Sequence, residues 1–178
     1  RVLDLQTLAA LADKLPLGVS QRAQLATLAP RGQLQDFSAQ WHGDAASASS
    51  YRIRGRLVGL GLNAQPARLA AEKTASSPAQ AAAPAIPGFD NLSGTIGATD
   101  QGGQIDIDAQ DLVLQLPAYL SDPAMPFEQF QMKARWAFET NNMLQVDLAQ
   151  LAFNQQGLRA NLRGSHRMPL DGKNLGQV

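Results

Sequence analysis

The chain has 178 residues, no cysteine, and 15 acidic against 15 basic residues, for a formal net charge of zero. Without Cys, disulfides, thiol nucleophiles and thiolate metal sites drop out together, and without a basic excess nothing in bulk electrostatics draws it to nucleic acid. No run approaches the ~18 apolar residues that cross a bilayer as a helix, and no basic-then-apolar leader opens the sequence. The start at Arg1 and the finish at Leu175-Gly176-Gln177-Val178 read as those of an excised piece of a longer protein.

The first thirty residues predict two helices. Leu5, Leu8, Leu11 and Leu15 recur at helical spacing until Pro16 and Gly18. Ser20 then serves as N-cap for a second helix carrying Leu25 and Leu28, which Pro30-Arg31-Gly32 stops. The resulting amphipathic hairpin either docks its leucines on a neighbouring sheet or lids an apolar groove.

From Leu34 the hydrophobic period changes from 3.6 to 2, and a repeat begins. Leu34-Gln35-Asp36-Phe37, Phe89-Asp90-Asn91-Leu92 and Phe127-Glu128-Gln129-Phe130 each set two polar residues between two large apolar ones and lead into an alternating strand. Phe37, Ala39 and Trp41 share a face, as do Leu92, Gly94 and Ile96, and Phe130, Met132, Ala134, Trp136 and Phe138. Each strand then returns: loosely through Gly43 to Ser50, tightly at Asp100-Gln101-Gly102-Gly103 and at Thr140-Asn141-Asn142, residues that accept positive φ. The returning strands present Tyr51, Ile53 and Leu57; Ile105, Ile107 and Ala109; and Leu144, Val146 and Leu148.

In all three returning strands the alternation slips once and resumes: Leu57 to Leu60 and Leu62, Ala109 to Leu112 and Leu114, Leu148 to Leu151 and Phe153. A β-bulge near Gly59, Asp111 and Gln150 keeps one face apolar and bends the sheet; the alternative is a crossover that buries the other side. Between the first two units the composition breaks. Thr74 to Ala85 reads as a flexible loop, with a short helix possible from Ala67 to Lys73. Gln155-Gln156-Gly157 turns into a further strand from Leu158 to Arg163, and beyond Met168-Pro169 another element begins.

Few residues are arranged for chemistry. Gly59-Leu60-Gly61-Leu62-Asn63-Ala64 has the letters of a dinucleotide turn, but Leu60 and Leu62 continue a strand and Pro66 stands where the helix would start. Asp100, Asp106 and Asp108 surround a glycine turn, yet Asp106 and Asp108 alternate with Ile105 and Ile107, as on the wet face of a strand rather than in a calcium loop. His42 and His166 lie near strand ends without triad or zinc partners. Arg52, Arg54 and Arg56 form one cationic strand face, expected either to pair with carboxylates on the neighbouring strand or to meet anionic lipid headgroups. Nothing here makes an enzyme, and no metal or cofactor is implied.

Ala29-Pro30-Arg31-Gly32-Gln33-Leu34 leading to Trp41, and Ile86-Pro87-Gly88-Phe89-Asp90-Asn91-Leu92-Ser93-Gly94 followed by Gly102-Gly103 and Asp111-Leu112-Val113-Leu114-Gln115-Leu116-Pro117, resemble the central region of the YhdP family, AsmA-like proteins of Gram-negative bacteria related in architecture to TamB. The resemblance implies a periplasmic segment of a protein anchored in the inner membrane and reaching the outer one. It also implies a long curved sheet whose apolar trough carries phospholipid in support of the outer-membrane permeability barrier.

The expected fold is mainly β with a small α part: an elongated, curved antiparallel sheet of repeated hairpins preceded by the helical hairpin. Residues 1–30 form the hairpin, 31–62, 88–126 and 127–168 the three β units, 63–87 an insert, and 169–178 the start of a next element. Phospholipid acyl chains would be the partner, lining residues being Phe37, Trp41, Ile53, Leu57, Leu92, Ile96, Ile105, Ile107, Phe130, Met132, Trp136, Leu144, Val146 and Leu148. Two rivals are a cell-envelope scaffold that binds a protein and no lipid, and a carbohydrate-binding β domain, which would set carboxylates and aromatics together in a cleft.

Overall fold

Alternating strands joined by residues that accept positive φ assemble here into one continuous meander. A computed structural model describes residues 2–14, 18–43, 50–67, 85–117, 124–140 and 142–170. The expected 74–85 loop, Ala85 apart, and most of the 67–73 helix fall outside these residues, as do Leu15, Pro16, Asn141 and the element after residue 170. The strands are β1 (Val2–Asp4), β2 (Arg31–His42), β3 (Ser50–Leu62), β4 (Gly88–Thr99), β5 (Gly102–Gln115), β6 (Ala124–Glu139), β7 (Met143–Gln155) and β8 (Leu158–Pro169). They lie side by side in chain order, every neighbouring pair antiparallel, in an open curved sheet. Asn142 at φ 58° enters β7, and Gln156 and Gly157, at φ 48° and 85°, make the two-residue β7–β8 turn.

The N-terminal helical part differs in detail from the expectation. The chain opens with β1, which pairs Leu3 with Leu34 of β2, so the helices span the gap between two neighbouring strands. Helix α1 (Leu5–Ala10) is short and passes into a 3-10 turn at Ala12–Lys14. Asp4 caps α1 by accepting the Thr7 N–H at 2.8 Å, and that bond holds its carboxyl below the usual carboxylate range. Helix α2 (Val19–Leu28) starts two residues earlier than a Ser20 cap would place it: Gly18 is the N-cap, and the Gln21 side chain reaches back to accept its N–H at 2.9 Å. Ala29, left-handed at φ 41°, ends the helix, its N–H donating to Leu25 O. Helix α1 rests on β1 and β2, and α2 packs against the 3-10 turn.

Bulges organise the sheet. The shifts expected in the returning strands occur at Leu57/Leu60 and at Leu148/Leu151, and Gly59 and Asp111 stand at φ 55° and 51°. The outgoing strands slip as well. Asp36 (φ 49°) breaks β2 between Gln35 and Ser38, and Asn91 (φ 63°) breaks β4 between Asp90 and Gly94. Strand β6 steps from Phe127 to Phe130 just where β5 steps from Ala109 to Leu112. The two remain in register because both slip together.

Side chains satisfy backbone groups that these slips release from the ladder. The Gly59 N–H donates to Ser93 Oγ at 3.0 Å, and Asn91 Nδ2 donates to the Gln110 carbonyl at 2.8 Å. The slips of β3 to β6 lie close to one level, at Gly59, Asn91, Asp111 and between Phe127 and Phe130, whereas those of β2 and β7 fall a few residues away, opposite Arg54–Arg56 and Lys133–Ala134.

The buried cluster sits on this crease: Leu57, Ile107, Ala109, Leu112, Phe127 and Phe130. Phe127 stands edge-on to both Phe130 and Phe153, with ring centroids 5.3 Å apart in each case, and such pairs add about 0.5–1.5 kcal/mol each beyond burial. Leu112 is 0 % exposed and Ile107 1 %, although among the described residues no second layer packs on β4–β8. A single sheet can hide a side chain so fully only where its face is concave. The apolar face is therefore the inside of the bend.

If Asn91 holds the crease, Asn91→Val should lower stability by about 1–3 kcal/mol, from the lost left-handed tolerance and the unpaired Gln110 carbonyl. Asn91→Gly should lose less. Urea denaturation midpoints of the two variants provide the comparison, and equal losses would remove the backbone contribution.

Candidate functional site

Because opposed residues in an antiparallel pair point to the same side, the pairing registers can be followed as rows across the sheet. One row runs Ala39, Ile53, Ala98, Gly103, Trp136, Val146 and His166. The next contains Gly55, Ile96, Ile105, Ala134, Leu148 and Gly164, and a third Leu34, Leu57, Gly94, Ile107, Met132, Leu151 and Leu162. Beyond the crease the same face continues through Leu60 and Leu92, and through Ala109, Phe130, Phe153 and Ala160. Apart from His166, these rows carry no titratable group.

All fourteen lining residues expected from the sequence fall on this face. They are not equivalent within it. Leu57, Ile107 and Phe130 belong to the buried cluster and form its floor. Leu92, Ile96, Ile105, Met132, Trp136, Leu144, Val146, Leu148 and Ile53 are half-buried and form its surface. Phe37 and Trp41 stand at the rim, Trp41 56 % exposed opposite Tyr51. Leu112, Phe127, Leu151 and Phe153 complete the floor and its surroundings but were not among the fourteen. The resumed alternation after each slip was the signal that could have added them.

Two aromatic rings compensate for glycines on this face. A Cβ on Gly103 would stand 2.4 Å from Trp136 Cζ2, and one on Gly55 would stand 3.1 Å from Phe37 Cδ2. Each ring lies over a glycine of the adjacent strand, covering backbone that would otherwise be bare to water. His166 of β8 is the polar exception: it faces Val146 of β7, and its buried Nδ1 has no hydrogen-bond partner among the described residues.

The reverse face is polar and wet. Lys133 pairs with Asp106 at 3.5 Å, and Arg167 with Glu139. Asn154 Nδ2 donates to Glu128 at 2.6 Å, and Gln131 links Gln150 to Asp108 with bonds of 3.4 Å. Asp100 accepts the Tyr51 N–H at 3.2 Å, which separates it from Asp106 and Asp108. Among the described residues no three His, Asp or Glu side chains gather as a metal site. His42 Nδ1 lies 3.4 Å from Ser50 Oγ.

The residues directly opposite Arg52, Arg54 and Arg56 are not carboxylates: they are Gln40, Ser38 and Gln35 on β2 and Thr99, Gly97 and Thr95 on β4, while Asp36, in the β2 bulge, lines one hollow with Arg54 and Arg56. The register, which sequence alone did not give, put small and neutral residues beside them.

The apolar face is wide as well as continuous. Strands β2–β8 have 12 to 16 residues, which at ~3.3 Å per residue makes a surface roughly 40 Å across. Such a surface offers no directional chemistry. It can hold hydrocarbon in many positions and can polarise no bond.

The Trp136–Gly103 contact is open to measurement. In a Trp41→Phe background, Gly103→Ala should lift the Trp136 ring toward water, red-shift its emission and cost about 1–3 kcal/mol from overpacking. An unchanged emission maximum would mean that the ring does not rest on Gly103.

No curated protein and no solved structure matches the chain. Among the described residues no helix is long and apolar enough to cross a membrane. A family model described as YhdP protein matches residues 1–177, nearly the entire length, and the chain belongs to the YhdP family.

Proposed function

We propose that this chain is a section of a non-catalytic periplasmic conduit, along whose apolar face phospholipid moves between the inner and outer membranes. The observation that carries the reading is the open concave face: rows of apolar side chains cross from β2 to β8, and no second layer among the described residues covers those of β4–β8. Folded chains seldom leave so extensive an apolar surface to water unless something binds it. Membership in the YhdP family supports the same occupant.

The energetics suit transport better than storage. Each methylene moved from water onto the face gains roughly 0.8 kcal/mol, whereas successive rows of Leu, Ile, Val and Met differ little from one another. Sliding from one row to the next exchanges like contacts for like. The polar headgroup stays at the rim or in water, since the floor could not hydrogen-bond it.

Crosslinking tests the proposal directly. A photoreactive residue at Val146 or Leu148, both half-buried on the apolar face, should capture phospholipid; one at exposed Asp147, between them on the other face, should not. Val146→Asp should reduce co-purified phospholipid severalfold while circular dichroism stays β-rich. Ile107 is unsuitable for such a variant, because at 1 % exposure a carboxylate there would be buried unpaired. Equal capture at Val146 and Asp147, or a chain that binds only protein through this face, would favour the scaffold reading instead.

A further inference from the structure

The aromatic side chains of the apolar face are sorted along the strands. Those with a polar tip stand at the end of the sheet that carries the tight β4–β5 and β6–β7 turns. Trp41 and Tyr51 face one another in the outermost row, beside the His42/Ser50 pair that ends the ladder. Trp136 and His166 occupy the next row, on either side of Val146. The phenylalanines lie mostly deeper: Phe127, Phe130 and Phe153 meet at the crease, and Phe89 packs against the same cluster. Phe37 and Phe138, both partly exposed, are the exceptions.

Rings that are apolar in body and polar at one tip collect where hydrocarbon meets water, as they do at the two surfaces of a bilayer. These two rows therefore form an interfacial belt along one rim. The row toward the helix end, Leu62, Phe89, Leu114 and Met125, is hydrocarbon throughout.

His166 adds a direction to the belt. Of its two ring nitrogens only Nδ1 is enclosed without a partner among the described residues. An enclosed N–H lacking an acceptor is rarer than an enclosed lone pair, which assigns the ring proton to Nε2. A Cβ on Gly164, the next residue on this face toward the crease, would meet nothing within 4 Å. The ring thus presents one donor, with room beside it for a ligand.

We infer that a glycerolipid on this face lies along the strands, its headgroup beyond the turn-end rim, its ester carbonyls level with His166 and its tails running to the crease. The inference rests on the lipid-conduit reading and gives it an orientation and a contact. Length agrees. Ile107 on the floor, and Met132 beside it, stand four residues in from Gly103 and Trp136, or roughly 13 Å. A layer of acyl chains is about 15 Å deep, half the hydrocarbon core of a bilayer. A tail that starts at the belt therefore ends on the buried cluster. The ester carbonyl suits the donor because it accepts a hydrogen bond and carries no charge. A phosphate drawn to the same depth would give up its hydration for a single bond.

Two phospholipids test the orientation on the purified chain, one with a photoreactive group at the start of an acyl chain and one with it at the end. Peptide mass spectrometry locates the labelled residues. The first probe should label the row of Trp136, Val146 and His166, and the second Met132 and Leu151. The reverse order, or equal labelling of both levels by both probes, would overturn the inference and leave the conduit reading standing. Labelling confined to the outer face, or none, would end both.

Competition between a diester phospholipid and its diether analogue, which lacks the carbonyls, tests the His166 contact. The wild-type chain should prefer the diester by roughly two- to tenfold, as one net hydrogen bond contributes. His166→Leu keeps the apolar cover and should erase the preference. His166→Gln, whose amide N–H extends to the region of Nε2, should restore it. Equal affinity of the wild-type chain for the two lipids, or an unchanged preference in His166→Leu, would also overturn the inference.

Discussion

A strand keeps one apolar face only while its alternation is unbroken, because shifting by a single residue turns every later side chain to the other side. Each long strand here from β2 to β7 breaks its alternation once, and yet the face survives. It survives because each break inserts one extra residue, which returns the next side chain to the same face. The left-handed residues Asp36, Gly59, Asn91 and Asp111 absorb the extra residue locally, and Ser93 and Asn91 hydrogen-bond backbone groups beside those breaks. Strands β5 and β6 step together between Ala109/Phe130 and Leu112/Phe127. Without the extra residue at each break, leucines beyond it would turn to the charged face. That insertion is the condition on which the continuous apolar surface depends.

Curvature then substitutes for a second layer. Most sheets bury their apolar face against helices or another sheet, whereas this one folds part of the face against itself. Phe127, Phe130 and Phe153 meet edge-on at the crease, and Ile107 and Leu112 vanish beneath them. Away from the crease the face opens, so that Phe37, Trp41 and Phe138 stand partly in water. The small residues follow the same gradient of crowding. Gly94 sits where neighbouring backbone comes close, with Asp106 O 2.2 Å from where a Cβ would be, while Gly97, on the outer face, has open space above it.

Much of this was legible in the sequence because period-2 patterning reports the face of a side chain directly. The three hairpins, the common face of Phe130 to Phe138, and the slips near Gly59, Asp111 and Gln150 could all be read from residue spacing. The motif of two polar residues between large apolar ones was visible too, in Asp36, Asn91 and Gln129, but read as strand entry rather than as a second set of bulges. Its meaning depends on the partner strand: Asn91 is informative only once Gln110 lies beside it. The same limit explains Arg52, Arg54 and Arg56, whose neighbours are fixed by register with β2 and β4. Strand β1 was missed because three residues, Val2–Asp4, are too short to show any period.

The two faces support different kinds of recognition. Apolar contact is additive in area and indifferent to direction, so a ligand on the concave face is held by how much hydrocarbon it covers and can move wherever the cover is equal. Hydrogen-bonded charge is directional and falls away within an ångström or two of its best geometry. Because each residue along a strand belongs to one face or the other, Ile53 and Arg54 can serve both demands one position apart without compromise. The pleat separates them by geometry alone, and a substitution that alters a side chain on one face need not disturb the other so long as the ladder between the strands remains intact.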